Sequence, residues 1–156
     1  MKISEQIQIK ARPEVVWKLI EDPAQICLWN PKLIQVVPVS SGQRRVGYCY
    51  RATYEMSGKR SEMSFEIREY EPFRKWSAHG NTIKSEAVIK IQNSGVIESY
   101  ELIEKGEGTL VKQEIDMDMS YQPFWLRILV WIILKTGKPV GSGPLDKLKQ
   151  LVEGEK

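Results

Sequence analysis

Tyrosine and methionine side chains at strand spacing are the residues of this sequence best suited to chemistry. Tyr48, Tyr50 and Tyr54 share one face of a predicted strand, because successive strand side chains point to opposite faces. A tyrosine joins an apolar ring to a hydroxyl that can orient a ligand, and methionine adapts its shape to its neighbours. Such a face predicts a largely apolar cavity with a few polar anchors, while plain core packing is the alternative for each residue alone. The predicted lining from the sheet is Tyr48, Tyr50, Tyr54, Met63, Phe65, Trp76, Tyr100 and Met117.

Gln113 is the polar exception on the inward face of the last predicted strand. Its neighbours on that face, Val111, Ile115 and Met117, are all apolar. A glutamine in this position is either a ligand anchor or a buried core residue with its own hydrogen bonds. The pattern leaves both interpretations open.

The residues that usually perform acid–base chemistry give no convincing pair. His79 is the single histidine, and the sequence His-Gly-Asn-Thr at 79–82 predicts a turn with a solvated side chain rather than a general base. The carboxylates at strand spacing are predicted to form a solvated outer face. They are Glu101, Glu104, Glu114, Asp116 and Asp118. HExxH, GxGxxG and P-loop patterns are absent from the sequence, so we predict no metal, no cofactor and no catalytic residue.

The segment from Phe124 to Leu134 is apolar at every position except Arg127, which predicts a helix covered on more than one side. Its broad apolar face holds Trp125, Leu126, Leu129, Ile132 and Ile133. Four residues are predicted to line the cavity from the helix, namely Leu126, Leu129, Val130 and Ile133.

The other side of this helix carries apolar residues beside Arg127 and Lys135. These residues are Phe124, Ile128 and Trp131. Aromatic side chains framed by cations fit a peripheral membrane contact, a homodimer contact, or a surface that the chain itself covers. Glycines and prolines between Gly137 and Pro144 interrupt the helical pattern, and a shorter closing helix follows from Leu145.

Length and composition predict one domain over residues 1–156. The 23 basic and 20 acidic residues give a net charge of only +3, and no basic arm is present, so nucleic acid is not a predicted partner. Cys27 and Cys49 lie far apart without a CxxC spacing, which favours buried free thiols in a reducing compartment. The first residues lack the apolar run of a signal peptide, so we expect a cytoplasmic protein.

The order of the predicted elements indicates an α+β fold. Ile3, Ile7 and Ile9 alternate with polar residues in a first strand, and two short helices follow it. From Leu33 to Met119 strand patterns follow one another with turn residues between them, which is typical of an antiparallel meander. One of these turns is predicted at Asn93-Ser94-Gly95.

Several local strings, in this order, resemble the START-related superfamily with the helix-grip fold, often called SRPBCC. The strings are ARPEVVW (11–17), IEDP (20–23), WNPKLIQVV (29–37), VG (46–47), EYEP (69–72), GT (108–109), LDKLK (145–149) and LVE (151–153). Within the superfamily, the sequence is most similar to the polyketide cyclase/dehydrase and lipid-transport group. The sequence departs from the family pattern in a longer region at 81–94 and in the helix break at 137–143.

The resemblance implies a curved antiparallel sheet of about seven strands wrapped around a long C-terminal helix, with two short helices after the first strand. It also implies an internal cavity for a hydrophobic ligand. We therefore predict a START-like protein that binds or transports a hydrophobic small molecule or lipid without catalysis. The alternatives are a cyclase/dehydrase-like enzyme that uses tyrosine hydroxyls and a positioned water, and an interaction module that docks a partner through the apolar helix.

Overall fold

A computed structural model of the chain describes residues 1–56, 58–86, 95–120, 122–136 and 143–154. Within residues 122–136, the side chains of 129, 130 and 133–136 lie outside this description. The strands are β1 (Lys2–Ile9), β2 (Leu33–Pro38), β3 (Cys49–Met56), β4 (Lys59–Glu71), β5 (Lys75–Ser85), β6 (Gly95–Lys105) and β7 (Gly108–Met117). The helices are α1 (Pro13–Ile20), α2 (Pro23–Ile26), α3 (Phe124–Thr136) and α4 (Pro144–Glu153).

All seven strands form one antiparallel sheet in the order β1-β7-β6-β5-β4-β3-β2. The strands after β2 follow one another as a meander, and β1 pairs with the last strand, β7. Irregular pairing between β4 and β5 at Glu62/Met63 and at Ile67/Glu69 places bulges in the middle of the sheet. Because a bulge bends a strand and increases its twist, these two bulges curve the sheet. The predicted α+β class, with a curved seven-stranded sheet and two short helices after β1, is confirmed.

Large aromatic side chains join the short helices to the inner face of the sheet. Three tryptophans are almost completely buried, namely Trp17 of α1, Trp29 between α2 and β2, and Trp76 of β5. The indole N–H of Trp29 donates to the carbonyl of Leu19 over 2.9 Å, and that of Trp76 donates to the carbonyl of Ile20 over 2.9 Å. The Trp76 bond therefore fixes the end of α1 to the sheet, and the Trp29 bond fixes it to the segment between α2 and β2.

The closing helix α4 packs on β1 through Leu145 and Leu148, which are buried. Glu153 accepts a hydrogen bond of 2.7 Å from the backbone N–H of Lys10, so the end of α4 is tied to the end of β1. The prediction of a separate closing helix is confirmed. No helix in the described ranges is long and apolar enough to cross a membrane.

The predicted turn at 79–82 is wrong. His79, Gly80 and their neighbours lie inside β5, where they pair with β4 on one side and β6 on the other. Packing rather than a turn explains the glycine at position 80, because a Cβ atom built there would lie 2.3 Å from the ring of Phe65. The ring of Phe65 thus occupies the space that a side chain on β5 would take.

Three smaller expectations have mixed outcomes. The strand predicted from Arg45 begins at Cys49, after Gly47 has adopted a positive φ of 88°. Cys27 and Cys49 are free, as expected, but both are only partly buried. Residues Asn93 and Ser94 of the predicted turn lie outside the described residues, and β6 begins at Gly95.

Candidate functional site

A buried polar cluster lies on the inner face of β6 and β7. Tyr100 of β6 pairs directly with Gln113 of β7, and Glu98 precedes Tyr100 on the same face. The Tyr100 hydroxyl donates to Oε1 of Glu98 over 2.6 Å, and the Gln113 amide donates to the Tyr100 hydroxyl over 2.8 Å and to Glu98 Oε1 over 3.3 Å. Tyr54 of β3 reaches Glu98 from across the sheet, with its hydroxyl 3.4 Å from Oε2.

The charge of this cluster depends on Glu98, whose residue surface is only 6% exposed. Burial raises the pKa of the Glu98 carboxyl, while the hydrogen bonds from Tyr100, Gln113 and Tyr54 act in the opposite direction. Burial, and then the nearby Glu98 charge, raise the pKa of the Tyr54 and Tyr100 hydroxyls well above its ordinary value. The tyrosines therefore stay protonated and act as hydrogen-bond donors.

Aromatic rings form the wall beside this cluster. Tyr50 and Phe65 stack with their ring centroids 5.2 Å apart and their planes 9° apart. The ring of Tyr54 lies 6.4 Å from that of Phe65. Behind the cluster, Tyr100 lies between Trp76 at 5.2 Å and Trp29 at 6.0 Å. One side of the cluster is thus closed by packed tryptophans, and the other faces the stacked rings.

An open groove of about 800 Å³ lies at the end of the sheet where β5, β6 and β7 meet the start of α3. Gly80, Val96 and Met117 line it from neighbouring strands, and Arg127 and Trp131 line it from α3. Val96 precedes Glu98 by two residues on β6, so the two side chains lie on one face about 7 Å apart along the strand. The outward-facing residues His79, Ile97 and Asp116 also line the groove, so it lies around the end of the strands rather than along the inner face alone.

The predicted lining residues of the sheet do share the inner face. Tyr48, Tyr50, Phe65, Trp76, Tyr100 and Gln113 are buried there, while Tyr54, Met63 and Met117 are partly buried. Of this set, Met117 also lines the groove. Gln113 is hydrogen-bonded within the cluster, as one of its two interpretations required. Whether these residues bind a ligand stays a prediction.

The prediction for α3 is partly wrong. Leu126 is buried, but Trp125 and Ile132, expected on the covered face, are 66% and 42% exposed. The helix therefore does not press its whole apolar face against the sheet. The predicted lining residues Leu129, Val130 and Ile133 have side chains outside the described part of the structure.

Glu98 is the functional candidate that the pattern analysis missed. A signal was available, because Tyr100 was placed inward and strand side chains alternate, so Glu98 had to be inward too. His79, in contrast, is exposed on the outer face of β5 and takes no part in the cluster. Among the described residues, no group of three or more His, Cys, Asp or Glu side chains is arranged to hold a metal ion.

Comparison with known families agrees with this architecture. Residues 1–153 match the model of the family described as polyketide cyclase / dehydrase and lipid transport. The chain belongs to this family. The resemblance drawn from the sequence strings is therefore confirmed. A search of curated proteins finds no match for this member of the polyketide cyclase/dehydrase and lipid transport family.

Solved structures with similar folds come from bacteria and plants. Protein TTHA0849 of Thermus thermophilus is 17% identical, with a TM-score of 0.69 over 99% of this chain and 98% of the other. Protein CV1439 of Chromobacterium violaceum is 17% identical, with a TM-score of 0.66 over 97% and 96%. The ginseng major latex-like protein 151 of Panax ginseng is 16% identical, with a TM-score of 0.61 over 87% and 93%. At such low identities these similarities establish the shared fold.

Proposed function

We propose that the protein binds a hydrophobic small molecule or lipid between the inner face of the sheet and α3. The observation that carries the proposal is the buried cluster of Glu98, Tyr54, Tyr100 and Gln113 on an otherwise aromatic face. Ligand sites are typically apolar with a few converging polar groups, and this face has that composition. The family description, which includes lipid transport, supports the same function.

Binding of a neutral hydrophobic dye, compared between variants, tests this proposal. We expect the wild-type protein to bind N-phenyl-1-naphthylamine saturably, with increased dye fluorescence. Met63→Trp adds bulk to the proposed site and should weaken binding by about tenfold, the order expected for overpacking. Ser64→Trp is the matched control, because Ser64 is the next residue of β4 and points to the outer face.

Two results would count against the proposal. The first is an absence of saturable dye binding by folded wild-type protein. The second is an equal loss of binding in Met63→Trp and Ser64→Trp, because the dye would then bind somewhere other than the inner face. Native mass spectrometry of the purified protein, followed by extraction, would identify a natural ligand that remains bound.

Glu98 also supports a second candidate function, an enzyme of the cyclase or dehydrase type. The sequence argument against catalysis was the absence of an acid–base pair, and a buried carboxylate beside the hydroxyls of Tyr54 and Tyr100 supplies one. Burial, which raises the carboxyl pKa, brings a general base closer to neutral pH. Incubating an extracted ligand with excess protein separates the two functions, since a carrier returns the molecule unchanged and an enzyme alters its mass.

For the outer side of α3 we propose a peripheral contact with an anionic lipid surface. Phe124, Ile128 and Trp131 are 74%, 41% and 53% exposed, and Arg127 is exposed among them. Apolar rings beside a cation fit the boundary between lipid headgroups and acyl chains. This helix also borders the groove, so the contact would place the groove next to the bilayer.

Vesicle co-sedimentation at low salt tests the contact. We expect the wild-type protein to sediment with vesicles that contain anionic lipid, and Phe124→Glu to remain mostly in the supernatant. Val39→Glu is the control, because Val39 is also an exposed apolar residue (60%) but lies far from α3 along the chain, beyond β2. Wild-type protein that stays in the supernatant would exclude the lipid contact. A concentration-dependent dimer that Phe124→Glu abolishes would assign the same residues to a homodimer instead.

A further inference from the structure

The two carboxylate oxygens of Glu98 are used unequally. Oε1 accepts hydrogen bonds of 2.6 Å from Tyr100 and 3.3 Å from Gln113. Oε2 accepts one bond, of 3.4 Å, from Tyr54 among the described residues. A carboxylate offers about four acceptor positions, two on each oxygen. Oε2 therefore has capacity for a further and stronger donor.

The hydrogen bonds around Glu98 are arranged for a negative charge. Because the Tyr100 hydroxyl accepts from the Gln113 amide, its own proton is directed to Glu98 Oε1. Gln113 gives a second N–H to the same oxygen. Donors directed at a carboxylate stabilise its charged form, whereas burial favours its neutral form.

No counter-charge accompanies this carboxylate in the described structure. The ion pairs between described residues involve other acidic groups, on the surface. The described residues that face Glu98 are uncharged, namely Tyr54 of β3, Tyr100 of β6 and Gln113 of β7. Ala78 of β5 and Ile115 of β7, which pair with Glu98 in the sheet, are also uncharged. A buried charge without a partner is costly, so a cation in this position would stabilise the site.

The surroundings favour a particular kind of cation. The rings of Tyr50, Tyr54 and Phe65 stand together on this face, and the face of an aromatic ring attracts positive charge. An apolar surface of this kind suits an organic cation with an apolar body better than a hydrated ion. A ligand with an anionic headgroup would meet repulsion from Glu98 in the same place.

We propose that Oε2 of Glu98 anchors the protonated amine of a hydrophobic ligand. This inference rests on the proposed binding function and specifies its ligand class, an amphiphilic or aromatic amine. The apolar body lies along the rings of Tyr50 and Phe65, and the ammonium group donates to Glu98 beside the hydroxyl of Tyr54. Gln113 and Tyr100 position the carboxylate for this contact.

Calorimetric titration with three probes of one shape tests the inference. The probes are 1-naphthylmethylammonium, 1-naphthalenemethanol and the anion of 1-naphthaleneacetic acid. They carry a cation, a neutral donor and an anion on the same ring system. We expect wild-type protein at pH 7 to bind the ammonium probe at least about tenfold more tightly than the alcohol, the value of a hydrogen bond between charged groups. The acetate should bind most weakly.

Variants identify the group responsible for the preference. Glu98→Gln keeps the size of the side chain and should lose the preference for the ammonium probe over the alcohol. Glu101→Gln is the matched control, because it removes the same charge from the outer face of β6 and should keep the preference. Circular dichroism confirms that both variants are folded.

Each outcome has a defined meaning. Equal binding of the alcohol and the ammonium probe by wild type would overturn the amine inference and leave the binding function standing. A preference that survives in Glu98→Gln would also overturn it. If none of the three probes binds folded wild-type protein at millimolar concentration, both the inference and the proposed function are contradicted. The wild-type comparison needs no variant, so it decides the question even if Glu98→Gln does not fold.

Discussion

We expect Trp76→Ala to lower the free energy of unfolding by about 3–5 kcal/mol, the usual cost of truncating a large buried aromatic side chain. Trp76 is fully buried, and its ring lies 5.2 Å from that of Tyr100. Its indole N–H also supplies the 2.9 Å hydrogen bond that joins β5 to the carbonyl of Ile20 at the end of α1. The substitution would leave both a cavity and a buried carbonyl without its donor.

Urea denaturation at pH 7 measures this loss, and two further variants locate its origin. Trp76→Phe keeps an aromatic ring but removes the N–H donor, so it should cost about 1–3 kcal/mol, the value of an unsatisfied buried polar group. Trp125→Ala removes a tryptophan that is 66% exposed and should change stability by less than about 1 kcal/mol. Equal losses at positions 76 and 125 would show that Trp76 does not hold α1 to the sheet.

We expect Glu98→Gln to stabilise the ligand-free protein increasingly as the pH rises. Burial raises the pKa of the Glu98 carboxyl above its value in the unfolded chain. Between these two values the folded protein holds a proton that the unfolded chain has released, so stability falls as the pH rises through that interval. Glutamine does not titrate and avoids this loss. The gain should therefore be larger at pH 8 than at pH 4.

The titratable groups that face Glu98 do not interfere with the measurement. Burial raises the pKa of Tyr50, Tyr54 and Tyr100 well above its ordinary value, and Gln113 does not titrate. Urea denaturation of wild type and Glu98→Gln from pH 4 to pH 8 should give curves that converge at the acid end. Glu101→Gln, on the outer face, controls for the change in net charge. A constant difference at every pH would show that the hydrogen bonds to Glu98 cancel the effect of burial.

Alternation within strands allowed most of the inner face to be predicted from the sequence. Residues such as Tyr50 and Phe65 are separated from their neighbours by outward polar side chains, and burial of one residue of a strand determines the rest. Strand alternation also places Glu98 on the inner face. Because charged residues are usually exposed, Glu98 was nevertheless not predicted there. The hydrogen-bond partners of Glu98 come from three strands, so only the assembled sheet shows that a carboxylate in this position is hydrogen-bonded.

The incorrect predictions concern residues whose type suggests a different structural environment from the one they occupy. Gly80 and Asn81 are common turn residues, yet here Gly80 lies in a strand because the ring of Phe65 requires the space above it. For α3, an apolar sequence predicted burial on more than one side. Apolar sequence alone does not specify how closely a helix approaches the sheet, and Trp125 remains exposed.

The pairing of β1 with β7 has a consequence for the kinetics of folding. Ile3 lies opposite Ile115, so the first strand of the chain completes the sheet only by pairing with the last one. Closing so long a loop is entropically unfavourable, and folds dominated by such distant contacts form slowly. During synthesis the ribosome releases β1 long before its partner exists. The backbone groups of β1 therefore lack their partners on β7 until β7 emerges, and an unpaired strand edge of this kind favours aggregation in the nascent chain.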